Sequence, residues 1–244
     1  MGKLTVSQTK TLVLQKIRKV LLWIVATFFV STILSVVVLR WVPVWFTPLM
    51  FIRLFQQAGQ GHELVLRHRW VPLEDISPSL PKAVMAGEDA RFLDHHGFDY
   101  RAIEYAAMRN ISHPEKRKLG ASTISQQTAK NVFLWPGRSW IRKGFEVYFT
   151  ALIELVWSKE RIMEVYLNSI EMGDGIYGVE AVAEQHFNKT ASDLSRSDCA
   201  LIAATLPNPR KYSSQDPDAY MRKRQRWIEH QMKNVPPFMT EHGQ

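Results

Sequence analysis

The feature that most constrains this chain is an uncharged apolar segment close to its N-terminus. Residues 20–39 read VLLWIVATFFVSTILSVVVL, without one charged side chain. At about 1.5 Å per residue, a helix of this length spans roughly 30 Å, the hydrocarbon thickness of a bilayer. A cleaved signal peptide would have a shorter apolar core and a small-x-small cleavage site, and a helix of a soluble domain usually keeps a polar face. The sequence therefore predicts one uncleaved transmembrane signal anchor over residues 20–40.

The positive charge of the chain is concentrated around this segment. The formal net charge is +8, but seven of the 31 basic residues and none of the 23 acidic residues lie in residues 1–62. The other 182 residues carry 24 basic and 23 acidic side chains, a net charge of +1, which argues against nucleic-acid binding. Five basic residues precede the anchor and only Arg40 follows it closely. The positive-inside rule therefore places a basic tail, residues 1–19, in the cytoplasm and the C-terminal part outside.

Residues 41–62 form an apolar segment next to the anchor. Its first part, WVPVWFTPLMFIRLF, is short and interrupted by proline, which argues against a second span. It either lies at the outer membrane surface or is the first packed element of the domain, and the sequence leaves both interpretations open. The single cysteine, Cys199, excludes an internal disulfide and is interpreted as a small core residue because an apolar run follows it.

The remaining residues, 63–244, are enough for one globular domain. Apolar residues recur at helical spacing almost throughout, and alternating strand patterns are scarce, so a mainly α domain is predicted. Caps at Ser158 and at either Ser122 or Thr123, a capping-box pattern at Ser195 and Asp198, and a Pro-Gly break set the helix bounds. The predicted helices cover residues 81–92, 99–110, 123–134, 139–157, 158–168, 178–187, 195–207 and 216–233.

Glu88 is the first candidate for chemistry in this domain. It follows a stretch of apolar and small residues, 83–87. A carboxylate at the edge of such a stretch is partly desolvated, which raises its pKa towards that of a general base. The alternative is an ordinary glutamate on the helix surface.

Two further segments favour the binding of sugars and phosphates. Residues 120–131, GASTISQQTAKN, combine a helix start, whose backbone N–H groups suit an anion, with hydroxyl, amide and lysine side chains. The alternative is a well-capped, solvated helix. In residues 142–146, RKGFE, Arg142 and Glu146 lie on one side of a helix, and the two cations suit a pyrophosphate. The alternative is an exposed i,i+4 ion pair.

Together these segments resemble one family, the peptidoglycan glycosyltransferases (glycosyltransferase family 51). The order and spacing of the motifs agree over residues 70–215. The matches are Glu-Asp-x-x-Phe-x-x-His-x-Gly at 88–97, Gly-x-Ser-Thr-Ile-x-Gln-Gln-x-x-Lys-Asn at 120–131, Arg-Lys-x-x-Glu at 142–146, Lys-x-x-Ile-Leu-Glu-x-Tyr-Leu-Asn at 159–168 with Met163 in the leucine position, and Tyr-Gly-Val-Glu-Ala at 177–181.

The resemblance implies a lysozyme-like, mainly α glycosyltransferase domain that joins a lipid-linked glycan to lipid II. It implies Glu88 as the general base and Glu146 as an assisting carboxylate on the donor side, with both facing one cleft. Asp89 and His95 would organise the first motif rather than carry protons. The substrate-binding residues supplied by the motifs are Asp89, Phe92, His95, Ser122, Thr123, Gln126, Gln127, Lys130, Asn131, Arg142, Lys143 and Asn168.

The resemblance also implies a location and partners. The protein would sit in the inner membrane of a Gram-negative bacterium, with its catalytic domain in the periplasm. Its partners would be lipid II, the lipid-linked glycan, the membrane, and proteins of cell division or cell-wall synthesis. No cofactor is obligatory, a Mg²⁺ or Mn²⁺ ion beside the pyrophosphate stays open, and no carboxylate cluster predicts a dedicated metal site. The Lys-Thr-Gly motif of a transpeptidase is absent from the sequence, so a monofunctional enzyme is expected.

Two alternatives to this function remain. A lytic enzyme of lysozyme type would need neither the Gln-Gln-x-x-Lys-Asn segment nor the cations at 142–143, because its substrate has no pyrophosphate. A scaffold protein could keep the fold without using Glu88 or Glu146. The basic residues of the last predicted helix are expected to face water or anionic lipid; they are Arg222, Lys223, Arg224 and Arg226.

Overall fold

A computed structural model describes residues 6–61, 63–116, 118–137 and 139–238 of the chain. The chain divides into two compact units, Met1–Val42 and Pro43–Gln244. The first holds one long helix, and the second holds all the residues that the sequence predicts for catalysis and binding.

The first unit contains helix α1, Val6–Val38. Within its stretch Leu14–Val38, an 18-residue window has a mean hydropathy of 2.5, and within the described part of the chain this is the one helix long and apolar enough to cross a membrane. Hydroxyl groups in this stretch bond back along the helix: Thr32 Oγ1 donates to the carbonyl of Phe28 at 2.8 Å, and Ser35 Oγ to the carbonyl of Thr32 at 2.8 Å. These hydroxyls need no water to be satisfied. The helix fits a single-pass membrane anchor.

The second unit is mainly helical, as predicted. Its short strands are β1 Arg67–His68, β2 Glu171–Gly173 and β3 Ile176–Tyr177. They form one sheet in the order β1–β3–β2, with β1 parallel and β2 antiparallel to β3. In chain order the elements are α2 Pro48–Gly59, β1 Arg67–His68, a 3₁₀ turn Leu73–Asp75, α3 Ser79–Glu88, α4 Tyr100–Ser112, α5 Ile124–Phe133, α6 Trp140–Val156, α7 Lys159–Ser169, β2 Glu171–Gly173, β3 Ile176–Tyr177, α8 Val179–Val182 continuing into a π-turn Ala183–Phe187, α9 Arg196–Thr205 and α10 Ala219–Gln231.

The predicted caps set the starts of several helices. Thr123 and Gln126 form a reciprocal capping box at α5, and Ser195 and Asp198 form another at α9. The Ser158 side chain accepts a backbone hydrogen bond from Arg161 at the start of α7. These bonds satisfy N–H groups that have no partner inside the first helical turn.

Two helices depart most from their predicted bounds. Helix α3 ends at Glu88 rather than at residue 92, because Asp89 leaves the helical region at φ −158° and its carboxylate accepts a hydrogen bond from the start of α5. The helix predicted over 178–187 is one α-helical turn followed by a π-turn, which Asn188 ends in the left-handed conformation at φ 51°.

Two groups of helices build the core of the second unit. Helix α9 packs between α3 and α10, and α5 packs on α6 and α7. In the second group, the rings of Phe133 and Phe149 stack 4.5 Å apart, and Ile153 is fully buried one turn later. Glu88, the last residue of α3, is hydrogen-bonded to Gln127 of α5. The two groups therefore meet at this carboxylate.

Helix α2 is the first packed element of the second unit. Leu49 and Met50 are buried against Tyr177. Phe51 and Phe55 are exposed on the same helix. Of the two interpretations left open for this segment, packing is confirmed, and a position at the membrane surface stays a prediction.

Cys199 lies in α9 and is fully buried, as predicted. Burial raises the pKa of its thiol to about 12. A thiol with this pKa is protonated at neutral pH, so Cys199 serves as a small core residue.

Candidate active site

Glu88 lies at the C-terminal end of α3, with its side chain 13% exposed. Its Oε2 accepts a hydrogen bond from Gln127 Nε2 at 3.1 Å, and its Oε1 lies 3.6 Å from Arg224 Nη2. Burial raises the pKa of Glu88, and the contacts with Gln127, Arg224 and Lys130 reduce but do not cancel that rise. This rise in the pKa of Glu88 agrees with the sequence prediction. Glu88 therefore combines a raised pKa with polar contacts that hold it in place.

The orientation of Gln127 is fixed by a residue to which the sequence reading gave no role. Tyr166 of α7 is fully buried, and its hydroxyl donates to Gln127 Oε1 at 3.2 Å. Burial raises the pKa of Tyr166 well above its usual value, which keeps the hydroxyl protonated. Gln127 therefore turns its NH₂ group towards Glu88. Tyr166 belongs to the fourth motif, but only its buried position beside Gln127 reveals what it does.

Asp89 ties the first motif to the start of α5. Its carboxylate lies 3.0 Å from His95 Nε2 and accepts the backbone N–H of Ile124 at 3.0 Å. Lys159 of the fourth motif donates from Nζ to the His95 carbonyl at 2.6 Å. These bonds hold three motifs together around Glu88, which supports the organising role predicted for Asp89 and His95.

Three predicted substrate-binding residues lie in the interior. Phe92 is fully buried below Lys159, whose Nζ lies 4.4 Å from the ring centroid. Gln126 serves the capping box of α5. The Asn168 side chain accepts from the Val71 N–H and donates to the Val71 carbonyl, both at 2.9 Å. Their contacts in the structure are with the protein itself, and contact with substrate stays a prediction.

A cluster of cations surrounds the second predicted carboxylate. Glu146 is 3% exposed; its Oε2 accepts from Arg142 Nη1 at 2.7 Å, and its Oε1 accepts from Lys143 Nζ. The interpretation as an exposed surface ion pair is therefore wrong. Lys130 interacts electrostatically with both carboxylates. Its pKa is lowered by burial, and the charges of Glu146 and Glu88 offset that fall only in part.

Two cavities open beside these groups. One of about 520 Å³ is lined by Ser122, Gln127, Lys130, Asn131 and Arg142, among others. A second of about 370 Å³ is lined by Glu88, Asp89, Ser122 and Thr123, among others. Ser122 lines both, so the predicted residues of the second motif lie where the two cavities adjoin. A volume of several hundred Å³ is typical of a small-molecule site.

Arg224 corrects one sequence expectation. The basic residues of the last helix were expected to face water or anionic lipid, but the side chain of Arg224 is only 24% exposed and lies against Glu88. Helix α10 packs on both α3 and α9, which brings this guanidinium to the end of α3. No local sequence pattern indicates this contact, because it depends on packing between elements far apart in the chain.

The charged groups here do not form a metal-binding cluster. Among the described residues, no group of three or more His, Cys, Asp or Glu side chains is placed to hold a metal ion. Both oxygens of Glu146 already accept hydrogen bonds from cationic side chains. A divalent ion that arrives with the substrate stays a prediction.

Comparison with known proteins shows the family of this chain. The model of the family described as transglycosylase matches residues 57–233, which include Glu88, Glu146 and Arg224. The chain is similar to a biosynthetic peptidoglycan transglycosylase of Bacteroides thetaiotaomicron, with 62% identity over 211 residues, 86% of this chain and 84% of the relative. Proteins with the same description match in Bdellovibrio bacteriovorus, at 54% identity over 88% of this chain and 85% of the relative, and in Pseudomonas syringae, at 48% over 91% and 92%. The chain belongs to the transglycosylase family, whose domain is lysozyme-like.

Proposed function

We propose that this protein polymerises the glycan strands of peptidoglycan from lipid II. The observation that carries the proposal is a partly desolvated Glu88, held by Gln127 and Arg224 beside a cavity whose wall includes Lys130 and Arg142. A base next to cations suits a reaction in which a hydroxyl is deprotonated and an anionic group leaves.

Glu88 acts as the general base. It takes the proton of the 4-hydroxyl on the acceptor sugar of lipid II. The freed oxygen attacks the anomeric carbon of the donor glycan, and the bond from that carbon to the pyrophosphate breaks. The electron pair leaves with the polyprenyl pyrophosphate, and a β-1,4 bond forms with inversion. The raised pKa of Glu88 favours its acceptance of this proton.

The cations stabilise the leaving group. Lys130, Arg142 and Lys143 supply positive charge where the pyrophosphate accumulates negative charge. Glu146 holds Arg142 and Lys143 in place through hydrogen bonds to both of its oxygens. Such pre-arranged charge stabilises a transition state without the cost of reorienting water. Glu146 thus assists on the donor side by orienting the cations that meet the pyrophosphate.

The alternatives explain less of this arrangement. A lytic enzyme of lysozyme type would cleave a polymer without a pyrophosphate and would have no use for the Lys130–Arg142–Lys143 cations. A scaffold would have no need for a partly desolvated carboxylate with directed polar contacts. Both alternatives leave the most costly feature of the site unexplained, which is the burial of several charges together.

The location follows from the substrate. The lipid tails of donor and acceptor stay in a bilayer, and α1 fits a single-pass anchor in that bilayer. From the basic tail we infer that the N-terminus lies in the cytoplasm and that the catalytic unit lies on the periplasmic side of the inner membrane. Proteins of cell division or cell-wall synthesis are the expected protein partners.

Polymerisation of labelled lipid II by the detergent-purified full-length protein tests the proposal. The wild type should give long glycan that lysozyme digests, and Glu88→Gln should give none. Glu104→Gln, a change of an exposed glutamate on α4, should behave like the wild type. Activity in Glu88→Gln would remove Glu88 from its role. Release of fragments from purified cell-wall polymer, without polymer synthesis, would favour the lytic alternative.

A further inference from the structure

Glu154 is a buried carboxylate that lies outside the sequence motifs and takes no part in the reaction at Glu88. It belongs to α6, about two helical turns after Glu146, and its side chain is 7% exposed. Because residues four apart share one face of a helix, Glu146, Thr150 and Glu154 lie along the same side of α6. A buried charge is costly unless it is paired, so the partners of Glu154 indicate its role.

Glu154 binds residues of two different motifs. Its Oε1 accepts from Lys159 Nζ at 2.8 Å and also from Ser125 Oγ. Lys159 in turn contacts the first motif, because its Nζ donates to the His95 carbonyl at 2.6 Å and lies 4.4 Å from the centroid of the Phe92 ring. Glu154 therefore holds the cation that fixes the backbone of the first motif.

Gly97 allows the first motif to lie directly against this part of α6. It has a φ of +87°, and a Cβ added there would lie 2.9 Å from Thr150 Cγ2 and 3.1 Å from Glu154 Cγ. A glycine avoids both the backbone strain and these close contacts. The Gly97 carbonyl also accepts from Thr123 Oγ1 at 2.7 Å. The first motif is therefore packed on α6 and bonded to the start of α5.

These contacts reach the base through its neighbour in the chain. Asp89 directly follows Glu88 and bonds both to His95 and to the start of α5. A shift of the first motif away from α6 would therefore move Asp89 and, with it, the carboxylate of Glu88. Because burial is the largest cause of the raised pKa of Glu88, such a shift would also admit water to this carboxylate and lower its pKa.

We propose that Glu154 is a positioning residue, which fixes the segment that carries the base to the helix that carries the donor-side cations. The inference rests on the proposed function. Glu146 orients Arg142 and Lys143 near the N-terminal end of α6, and Glu154 holds the first motif nearer its C-terminal end. One helix thus sets the distance between the group that takes the proton and the groups that meet the leaving pyrophosphate. A misplacement of about 1 Å can lower a rate about 100-fold.

Steady-state rates of the full-length enzyme with lipid II, measured across pH, test this role. Glu154→Gln keeps the shape of the side chain and removes the negative charge beside Lys159. It should lower kcat about tenfold with little change in KM, because Glu154 is outside the described linings of both cavities. The acidic limb of the kcat profile should move to lower pH, because a base with a lower pKa stays ionised in more acidic solution.

Glu164→Gln is the matched control for lost stability. The Glu164 side chain is 18% exposed and accepts from Arg161 and from the Leu73 N–H, neither of which belongs to the first motif. Both variants should melt at a lower temperature than the wild type, because each removes the negative charge beside a partly buried cation. Only Glu154→Gln should shift the acidic limb of the kcat profile.

Ser125→Ala is a milder variant that tests the same role if Glu154→Gln does not fold. It removes one of the two donors to Glu154 and leaves Lys159 in place, so it should shift the acidic limb in the same direction by a smaller amount. A fall in kcat that is equal at every pH, a rise in KM alone, or an unchanged kcat would overturn the positioning role. A wild-type enzyme that forms no polymer would instead refute the proposed function.

Discussion

The two carboxylates of the site are surrounded in opposite ways. Glu88 has one amide donor and one arginine at 3.6 Å, and burial raises its pKa. Glu146 is more deeply buried and has a cationic donor on each oxygen. The same side chain therefore has two functions: one carboxylate is prepared to take a proton, and the other holds positive charge in place. The following variants test that difference.

The largest effect is expected at Glu88. Glu88→Gln removes the base and should lower kcat about 10²- to 10⁴-fold, the usual range for general-base catalysis. The melting temperature should change little, because the amide fits the same space and can still bond to Gln127. Steady-state rates with lipid II and a thermal melt measure both. A large loss of stability would show that Glu88 is a structural residue instead.

Glu146→Gln should act on stability as well as on activity. It leaves Arg142 and Lys143 without a counter-charge in a largely buried setting, which should cost about 3 kcal/mol of unfolding free energy. Because Lys143 is 39% exposed, most of the cost should come from Arg142. Chemical denaturation measures it, and the double variant Arg142→Gln/Glu146→Gln should recover part of the loss. No change in stability would contradict the role given to this ion cluster.

Tyr166→Phe tests the orientation of Gln127. Without the hydroxyl, Gln127 is free to turn its carbonyl oxygen towards Glu88, and kcat should fall about fivefold for a hydrogen bond of about 1 kcal/mol. KM should change less than kcat, since the contact acts through the base. A variant that raises KM alone would assign Tyr166 to substrate binding.

The smallest effect, and the most specific, is expected for Arg224→Gln. Arg224 lowers the pKa of Glu88, so its removal should raise that pKa further. Because the base must be ionised, the acidic limb of the kcat profile should move to higher pH, while the rate at alkaline pH stays near that of the wild type. Arg224→Lys should restore most of the wild-type profile. A uniform loss at every pH would contradict an electrostatic role.

Local sequence signals predict much of this molecule, and the features that they do not predict depend on tertiary contacts. The capping residues Thr123 and Ser195 locate helix starts because a cap needs only its neighbours. The raised pKa of Glu88 was predictable for a similar reason, since the apolar stretch before it supplies the desolvation. Roles for Tyr166 and Arg224 could not be predicted, because each depends on a partner that only the packing of distant helices brings near.

The same limit explains the errors in helix bounds and in exposure. Asp89 ends α3 early because its carboxylate bonds to α5, a contact that helical periodicity does not encode. The i,i+4 spacing of Arg142 and Glu146 is compatible with an exposed ion pair, because the sequence of one helix does not show what packs against it. Its burial comes from the packing of α6 with α5.

The buried thiol of Cys199 has a practical consequence for observing this enzyme at work. Sulfhydryl reagents react with the thiolate, which is scarce at neutral pH for a thiol with a pKa of about 12. Cys199 also has no exposed surface that a reagent could reach. The chain has no other cysteine. The natural sequence should therefore behave as a cysteine-free background for fluorescent or spin labelling. A single cysteine introduced at an exposed position, such as Phe55, would report on one site while the protein acts in a membrane.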